Sequence, residues 1–332
     1  MTDTRFDVVG LGNAIVDVFA SVEDSFLEEH DIRKNGMTLI DEDRADALVQ
    51  AAPEGPQLSG GSGANTIVGI SSFGGRAGYI GKVAKDPLGD VFRKDMNESG
   101  IPFETHALED GPATARCVVF VTPDGARSMN TFLGASVLFS PTDIQEDMVR
   151  DAAILYLEGY LFDQEAAKAA FVHASEIAKA AGRKVALTLS DGFCVERHRD
   201  SFLHLIKNHI DLVFANEDEA LSLYQTEDFD EAVARMREDT GLAAITRSEK
   251  GSVVIGPDGV VAVAAEPVSK VVDTTGAGDQ YAAGFLFGVS RELPLETCAR
   301  LGHIAAAEVI SHYGPRPETP YAELARKAGI SI

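Results

Sequence analysis

Apolar runs of strand length recur along this chain, each closed by glycine or a polar turn. Residues 6–12 (F-D-V-V-G-L-G) read as a buried strand running into glycines. Residues 41–52 carry helical spacing, and residues 58–66 (L-S-G-G-S-G-A-N-T) form a glycine-rich turn that enters a helix over 66–73. Residues 115–121 and 127–133 alternate in polarity across a P-D-G turn and predict a hairpin, part of a small β lid over a cleft. Beyond residue 150 the alternation becomes regular. Strands are predicted at 153–160, 184–190, 212–215 and 242–246, with helices at 164–181, 196–208, 217–224 and 230–240. A further hairpin pairs 252–256 with 260–264 across Asp258 and Gly259. Strands separated by helices predict an α/β fold, with a central mostly parallel sheet covered on both faces and ligands at the carboxyl ends of its strands. No internal repeat or linker interrupts the chain, so one domain is expected over residues 1–332.

The densest chemistry lies in residues 271–285, V-V-D-T-T-G-A-G-D-Q-Y-A-A-G-F. The pattern reads as a strand end, a tight loop and the first turn of a buried helix. Backbone N–H groups at Gly276, Ala277 and Gly278 would point into the space before that helix, where the helix dipole also favours an anion. Asp279 in the same turn adds a carboxylate able to accept a proton. An anion hole beside a base is what phosphoryl transfer to a hydroxyl requires. The plainer reading is a strand-to-helix turn with an acidic first-turn residue.

Composition narrows the partners. With 332 residues, 45% of them hydrophobic, the chain can bury a large core. A net charge of −23 argues against nucleic acid and anionic membrane surfaces as partners. Cys117, Cys194 and Cys298 show neither zinc nor disulfide spacing, which fits a reducing cytoplasm. The N-terminal residues are polar, with no signal-like segment behind them, and no apolar run reaches membrane-spanning length. No G-x-x-x-x-G-K-[ST] or G-x-G-x-x-G fingerprint is present, which disfavours a P-loop or a nicotinamide site.

The string D-T-T-G-A-G-D closely resembles the signature of the ribokinase-like sugar and nucleoside kinases of the phosphofructokinase-B type. The resemblance extends over nearly the whole chain. It implies a ribokinase-like fold whose small β lid comes from segments near 13–40 and 113–135. It also implies that Asp279 is the catalytic base, that the amides of Gly276, Ala277 and Gly278 hold the transferring phosphate, and that Arg127 steadies it. Asn13 and Asp17, in a G-N-x-x-x-D pattern, would clamp substrate hydroxyls. Gly60, Gly61, Ser62 and Asn65, around a G-G-x-x-x-N pattern, would line the sugar. Asn216 and Glu219 match an N-x-x-E motif that organises hydrated magnesium, although a helix N-cap with an acidic first turn explains the same residues. Thr246, Ser248 and Gly251 match the nucleotide loop T-x-G-x-x-G, with Ser248 in place of its middle glycine. Thr275 and His303 join them on the ATP side, and a monovalent-cation requirement stays open.

Within that family several stretches resemble the adenosine kinases, among them G-N-A-I-V-D and R-S-M-N-T-F-L-G-A-S. Ile15, Met129, Leu133, Tyr160 and Phe193 fall at or near positions that form a base slot there, though each alone reads as a core residue. The implied reaction moves the γ-phosphoryl group of ATP to the 5′-hydroxyl of adenosine, giving AMP and ADP. A sugar kinase of the same family is the alternative. A non-catalytic ligand-binding protein is a third reading, and the retained Asp279 counts against it. The partner is a small molecule, and the assembly is a monomer or a homodimer.

Overall fold

The computed structural model describes residues 4–332; residues 1–3, where the polar N-terminal segment begins, lie outside them. The strands are β1 (Phe6–Leu11), β2 (Ile15–Ser21), β3 (Met37–Leu39), β4 (Gln57–Gly60), β5 (Ala77–Ile80), β6 (Ala115–Val121) and β7 (Arg127–Phe132), followed by β8 (Ala152–Glu158), β9 (Lys184–Thr188), β10 (Leu212–Asn216), β11 (Ala243–Thr246), β12 (Ser252–Gly256) and β13 (Gly259–Val263). They form two sheets. The large one has the order β13-β12-β11-β10-β9-β8-β1-β5, and the small one β3-β7-β6-β2-β4. From β5 to β11 every neighbouring pair in the large sheet is parallel; β12 and β13 close the far edge antiparallel. This is the ribokinase-like arrangement.

The period of two along each large-sheet strand decides which core a side chain joins. Leu155 and Leu157 of β8, Val185 and Leu187 of β9 and Val213 of β10 point to one face. There they meet Phe171 and Phe202 from helices Glu165–Ala180 and Gly192–His209. Ile154, Tyr156, Ala186 and Phe214 point to the other face, against Ile67 and Phe285 from helices Ser62–Ser72 and Ala277–Ser290. Both faces are therefore dry, which is why these strands read as continuous apolar runs rather than alternating ones.

Three expectations need correction. Residues 271–276 are not a strand end: Val272 N–H donates to Ile310 O (2.8 Å), and the Asp273 carboxylate accepts from Thr275 N (2.9 Å), Thr275 Oγ1 (2.6 Å) and Gly314 N (3.0 Å). Local polar bonds outcompete β pairing there. Residues 57–60 are strand β4, paired antiparallel with β2, so the glycine-rich turn narrows to Gly61 and the helix begins at Ser62. The helix expected at 196–208 begins earlier, at Gly192, capped by Asp191, whose carboxylate accepts from Cys194 N. Among the described residues no helix is long and apolar enough to cross a membrane.

Candidate active site

A cleft of about 920 Å³ lies between the carboxyl ends of the large-sheet strands and one face of the small sheet. Its volume lies within the range of small-molecule sites. The floor is the start of helix Ala277–Ser290. Gly276 caps that helix with φ +80°, and a Cβ there would come 2.7 Å from Pro315 Cα, so the turn needs glycine on two counts. Gly276, Ala277, Gly278 and Asp279 all line the cleft. Of the three amides, that of Ala277 turns back onto Thr274 O (3.2 Å), so the anion-binding capacity rests chiefly on its two glycine neighbours.

Asp279 faces this space with its carboxylate oriented from the opposite wall. Ser62 Oγ donates to Oδ1 (2.6 Å) and Asn65 Nδ2 to Oδ2 (3.4 Å). Burial lifts its pKa to about 6, and the two donated bonds hold it from rising further. Asp17 projects from β2 into the same cleft. Burial again raises it to about 6, while the nearby Arg316 and Arg127 pull it down.

The other residues predicted from sequence divide sharply. Asn13, Ile15, Gly61, Ser62 and Asn65 line the cleft beside Asp17, with Met129, Leu133, Tyr160 and Phe193 completing an apolar wall. Phe193 is 74% exposed, so it is a rim residue rather than an enclosed one. Asn216, Glu219, Thr246 and Thr275 line the other end. Asn216 and Glu219 form a reciprocal capping box: Asn216 Oδ1 accepts from Glu219 N (2.8 Å), and the Glu219 carboxylate accepts from Asn216 N (3.0 Å) and Nδ2 (2.7 Å). Burial, with Asp191 and Asp218 nearby, raises Glu219 to about 7.

Gly60, Ser248, Gly251 and His303 do not line the cleft. Gly60 ends β4 opposite Ile15. Ser248 starts a short 3-10 turn at φ +51°, and Gly251 closes it. His303 is buried, Nε2 meeting Ser252 Oγ at 2.9 Å and its ring set edge-on against Tyr281, and burial lowers its pKa to about 4. It is a neutral core residue. Arg127 lines the cleft but is already engaged: Nε lies 3.1 Å from Asp273 Oδ2, and the guanidinium stands over the rings of Phe19 and Tyr313.

Two groups escaped the sequence reading. Arg316 donates to Asn65 Oδ1 (3.3 Å), Asp95 Oδ2 (2.9 Å) and Ser59 Oγ (2.7 Å), bracing Asn65 behind the cleft wall. Glu158 ends β8, lines the cleft and is 1% exposed. Nothing local marks either one. A charged residue closing an otherwise apolar strand was the only available signal for Glu158.

Comparison with known proteins finds relatives over nearly the whole chain. The profile of the pfkB family of carbohydrate kinases matches residues 33–321. The crystal structure of adenosine kinase from Sinorhizobium meliloti is 50% identical, with a TM-score of 0.89 over 98% of this chain and 99% of that one. A probable sugar kinase from Rhizobium etli CFN 42 is 47% identical, with a TM-score of 0.90 over 98% and 99%. Adenosine kinase of Saccharomyces cerevisiae is 28% identical over 331 residues, covering 93% of this chain and 96% of its own. A family match over most of the length, joined to a cleft with a buried carboxylate beside a helix N-terminus, leads to one conclusion: the chain belongs to the pfkB family of carbohydrate kinases.

Proposed function

We propose that this kinase transfers the γ-phosphoryl group of ATP to the 5′-hydroxyl of adenosine. The observation that carries the reading is the shared cleft. Asp279, the Gly276–Gly278 turn, the Asp17 carboxylate and the apolar wall all open into one space. Asp17 binds the ribose hydroxyls, and the apolar wall takes the base. Asp279 accepts the 5′-hydroxyl proton as the oxygen attacks the phosphorus, and the turn amides stabilise the developing charge. The small sheet acts as a lid that keeps water from competing for the phosphoryl group. Arg127, with Nε facing Asp273, offers its terminal N–H groups to the phosphate.

The donor end suits a hydrated magnesium. Glu219 is a buried carboxylate with Asp191 near it. No cluster of three or more metal-ligating acidic, histidine or cysteine side chains occurs among the described residues, so contact would run through water. When bound there, magnesium neutralises phosphate charge; Asn216 and Glu219 would orient its waters.

The acceptor is tested directly by kcat/KM for adenosine, other nucleosides, ribose and fructose with ATP. Adenosine should exceed ribose by at least about a hundredfold, the scale that a dedicated base slot and its hydrogen bonds supply. Ribose or fructose turning over faster than adenosine would select the sugar-kinase reading, which the similarity to a probable sugar kinase favours.

The same assay has an expected pH dependence. Asp279 works only as carboxylate, and its pKa is about 6. The kcat/KM for the acceptor should therefore begin to fall below about pH 7, where Glu158 and Glu219 take up protons, and drop roughly tenfold per unit or more below about 6, where Asp279 and Asp17 titrate. An ordinary exposed aspartate would hold the rate level down to about pH 4; a profile flat to that point would rule out the buried base.

A further inference from the structure

Glu158 joins two cleft segments that are far apart in sequence, the joint at Asn13 and the first turn of helix Ser62–Ser72. Its Oε2 accepts from Asn13 N (3.2 Å) and Gly63 N (2.9 Å), and its Oε1 accepts from Asn13 Nδ2 (2.8 Å). Tyr79 OH donates to the Asn13 carbonyl (2.8 Å), so the Asn13 backbone is held from both sides. The fit leaves no spare room. A Cβ at Gly12 would strike Glu158 Oε2, and one at Gly63 would come within 2.7 Å of it.

A side-chain amide is nearly symmetric in shape but not in chemistry, since one end donates and the other accepts. A carboxylate only accepts. Glu158 therefore forces the NH2 end of Asn13 toward itself. The Asn13 Oδ1 atom takes no hydrogen bond from any described residue, and Asn13 lines the cleft. We infer that Glu158 is a positioning residue that sets the hydrogen-bond polarity of Asn13, so that the cleft presents a fixed acceptor to a hydroxyl of the phosphoryl-accepting substrate. The inference rests on the kinase reading above, which already gives Asn13 a substrate hydroxyl, and adds the residue that fixes which end of the Asn13 amide meets it.

Glutamine at 158 is the discriminating substitution. Its Oε1 can accept from the two backbone N–H groups as Oε2 does now. Its NH2 then faces Asn13, which must turn its own oxygen inward and offer NH2 to the cleft. The fold is kept while the polarity of the site is reversed. At pH 8, above the value near 7 to which burial lifts Glu158, Glu158→Gln should raise the acceptor KM about tenfold or more. The KM for ATP should stay within about twofold. Adding Asn13→Asp to Glu158→Gln lets one new carboxylate oxygen take the glutamine NH2 and the other face the cleft as an acceptor. The double variant should recover the acceptor KM to within about threefold. Asn13→Asp alone, which opposes two carboxylates, should lower Tm, whereas Glu158→Gln and the double variant should keep it. An unchanged acceptor KM in Glu158→Gln, or no recovery in the double variant, overturns the inference. So does an equal rise in both KM values with a lowered Tm, the mark of a purely structural role. If the native chain phosphorylates no acceptor, the kinase reading fails on that ground alone, and the Tm pattern still decides the polarity of the Glu158–Asn13 pair.

Discussion

Asp279→Asn should keep the fold and acceptor binding but lose about 10²–10⁴-fold or more in kcat. The replacement has nearly the same shape, and Ser62 Oγ, which donates to Oδ1 at 2.6 Å, can still donate to the new amide oxygen. What disappears is the second oxygen and with it the site for the proton. Asp279 is the one carboxylate in the first turn of the helix whose amides would receive the phosphate, so no neighbour can take over along the same path. Single-turnover rates with saturating ATP separate the chemical step from product release. A variant keeping more than about a tenth of native activity would show that the proton goes elsewhere.

Asp17→Ala should lower kcat/KM for adenosine by about 10²-fold or more, while Phe193→Ala should cost only about tenfold. A carboxylate accepting hydroxyl protons makes charge-assisted bonds, each worth about 1.5–3 kcal/mol. Two such bonds to the ribose 2′- and 3′-hydroxyls are lost at once. Arg316 and Arg127, which pull the Asp17 carboxylate toward its charged form, keep their own partners Asp95 and Asp273, so the loss is felt at the substrate rather than in the fold. Phe193, 74% exposed at the rim, gives up stacking worth on the order of 1 kcal/mol. The two variants also differ in scope. Asp17→Ala should weaken every ribose-bearing acceptor, and 2′-deoxyadenosine should be a poor substrate for the native protein. Phe193→Ala should weaken nucleosides and leave free ribose unchanged. Equal losses on adenosine and ribose in Phe193→Ala would remove the base slot from the reading.

The large sheet was legible because its strands are buried on both faces and its helices amphipathic, so period and length agree. The small sheet was only half legible. Its hairpin, β6 and β7, showed alternation and a turn signal. Strand β3 (Met37–Leu39) is three exposed residues without a pattern, and β4 was hidden inside a glycine-rich string that reads as turn. Site residues carried in compact motifs, such as Gly276–Asp279, emerged directly because one turn supplies them all. Arg316 and Glu158 did not, since each takes its meaning from partners far away in the chain: Asn65 is 251 residues from Arg316, and Asn13 is 145 from Glu158. His303 shows the opposite case. A motif placed it near the nucleotide, yet packing against Tyr281 turns its ring into the core.

The chain passes between the two sheets at very short joints. Strand β1 ends at Leu11 and β2 begins at Ile15; β4 ends at Gly60 and the next helix begins at Ser62. Joints this short would be the pivot if the small sheet moved. If the small sheet swings as a rigid plate, displacement grows with distance from the pivot. Asp17 is two residues beyond it, an arm of about 7 Å, so a rotation of about 15° moves it by only about 2 Å. Strand β3 lies at the outer edge of the plate and would sweep much farther. The groups assigned to the ribose therefore sit where the mechanism is stiffest, and Met37 and Leu39 travel with the rim. Such a swing would widen the entrance while the spacing between Asp17 and Asp279 is nearly preserved.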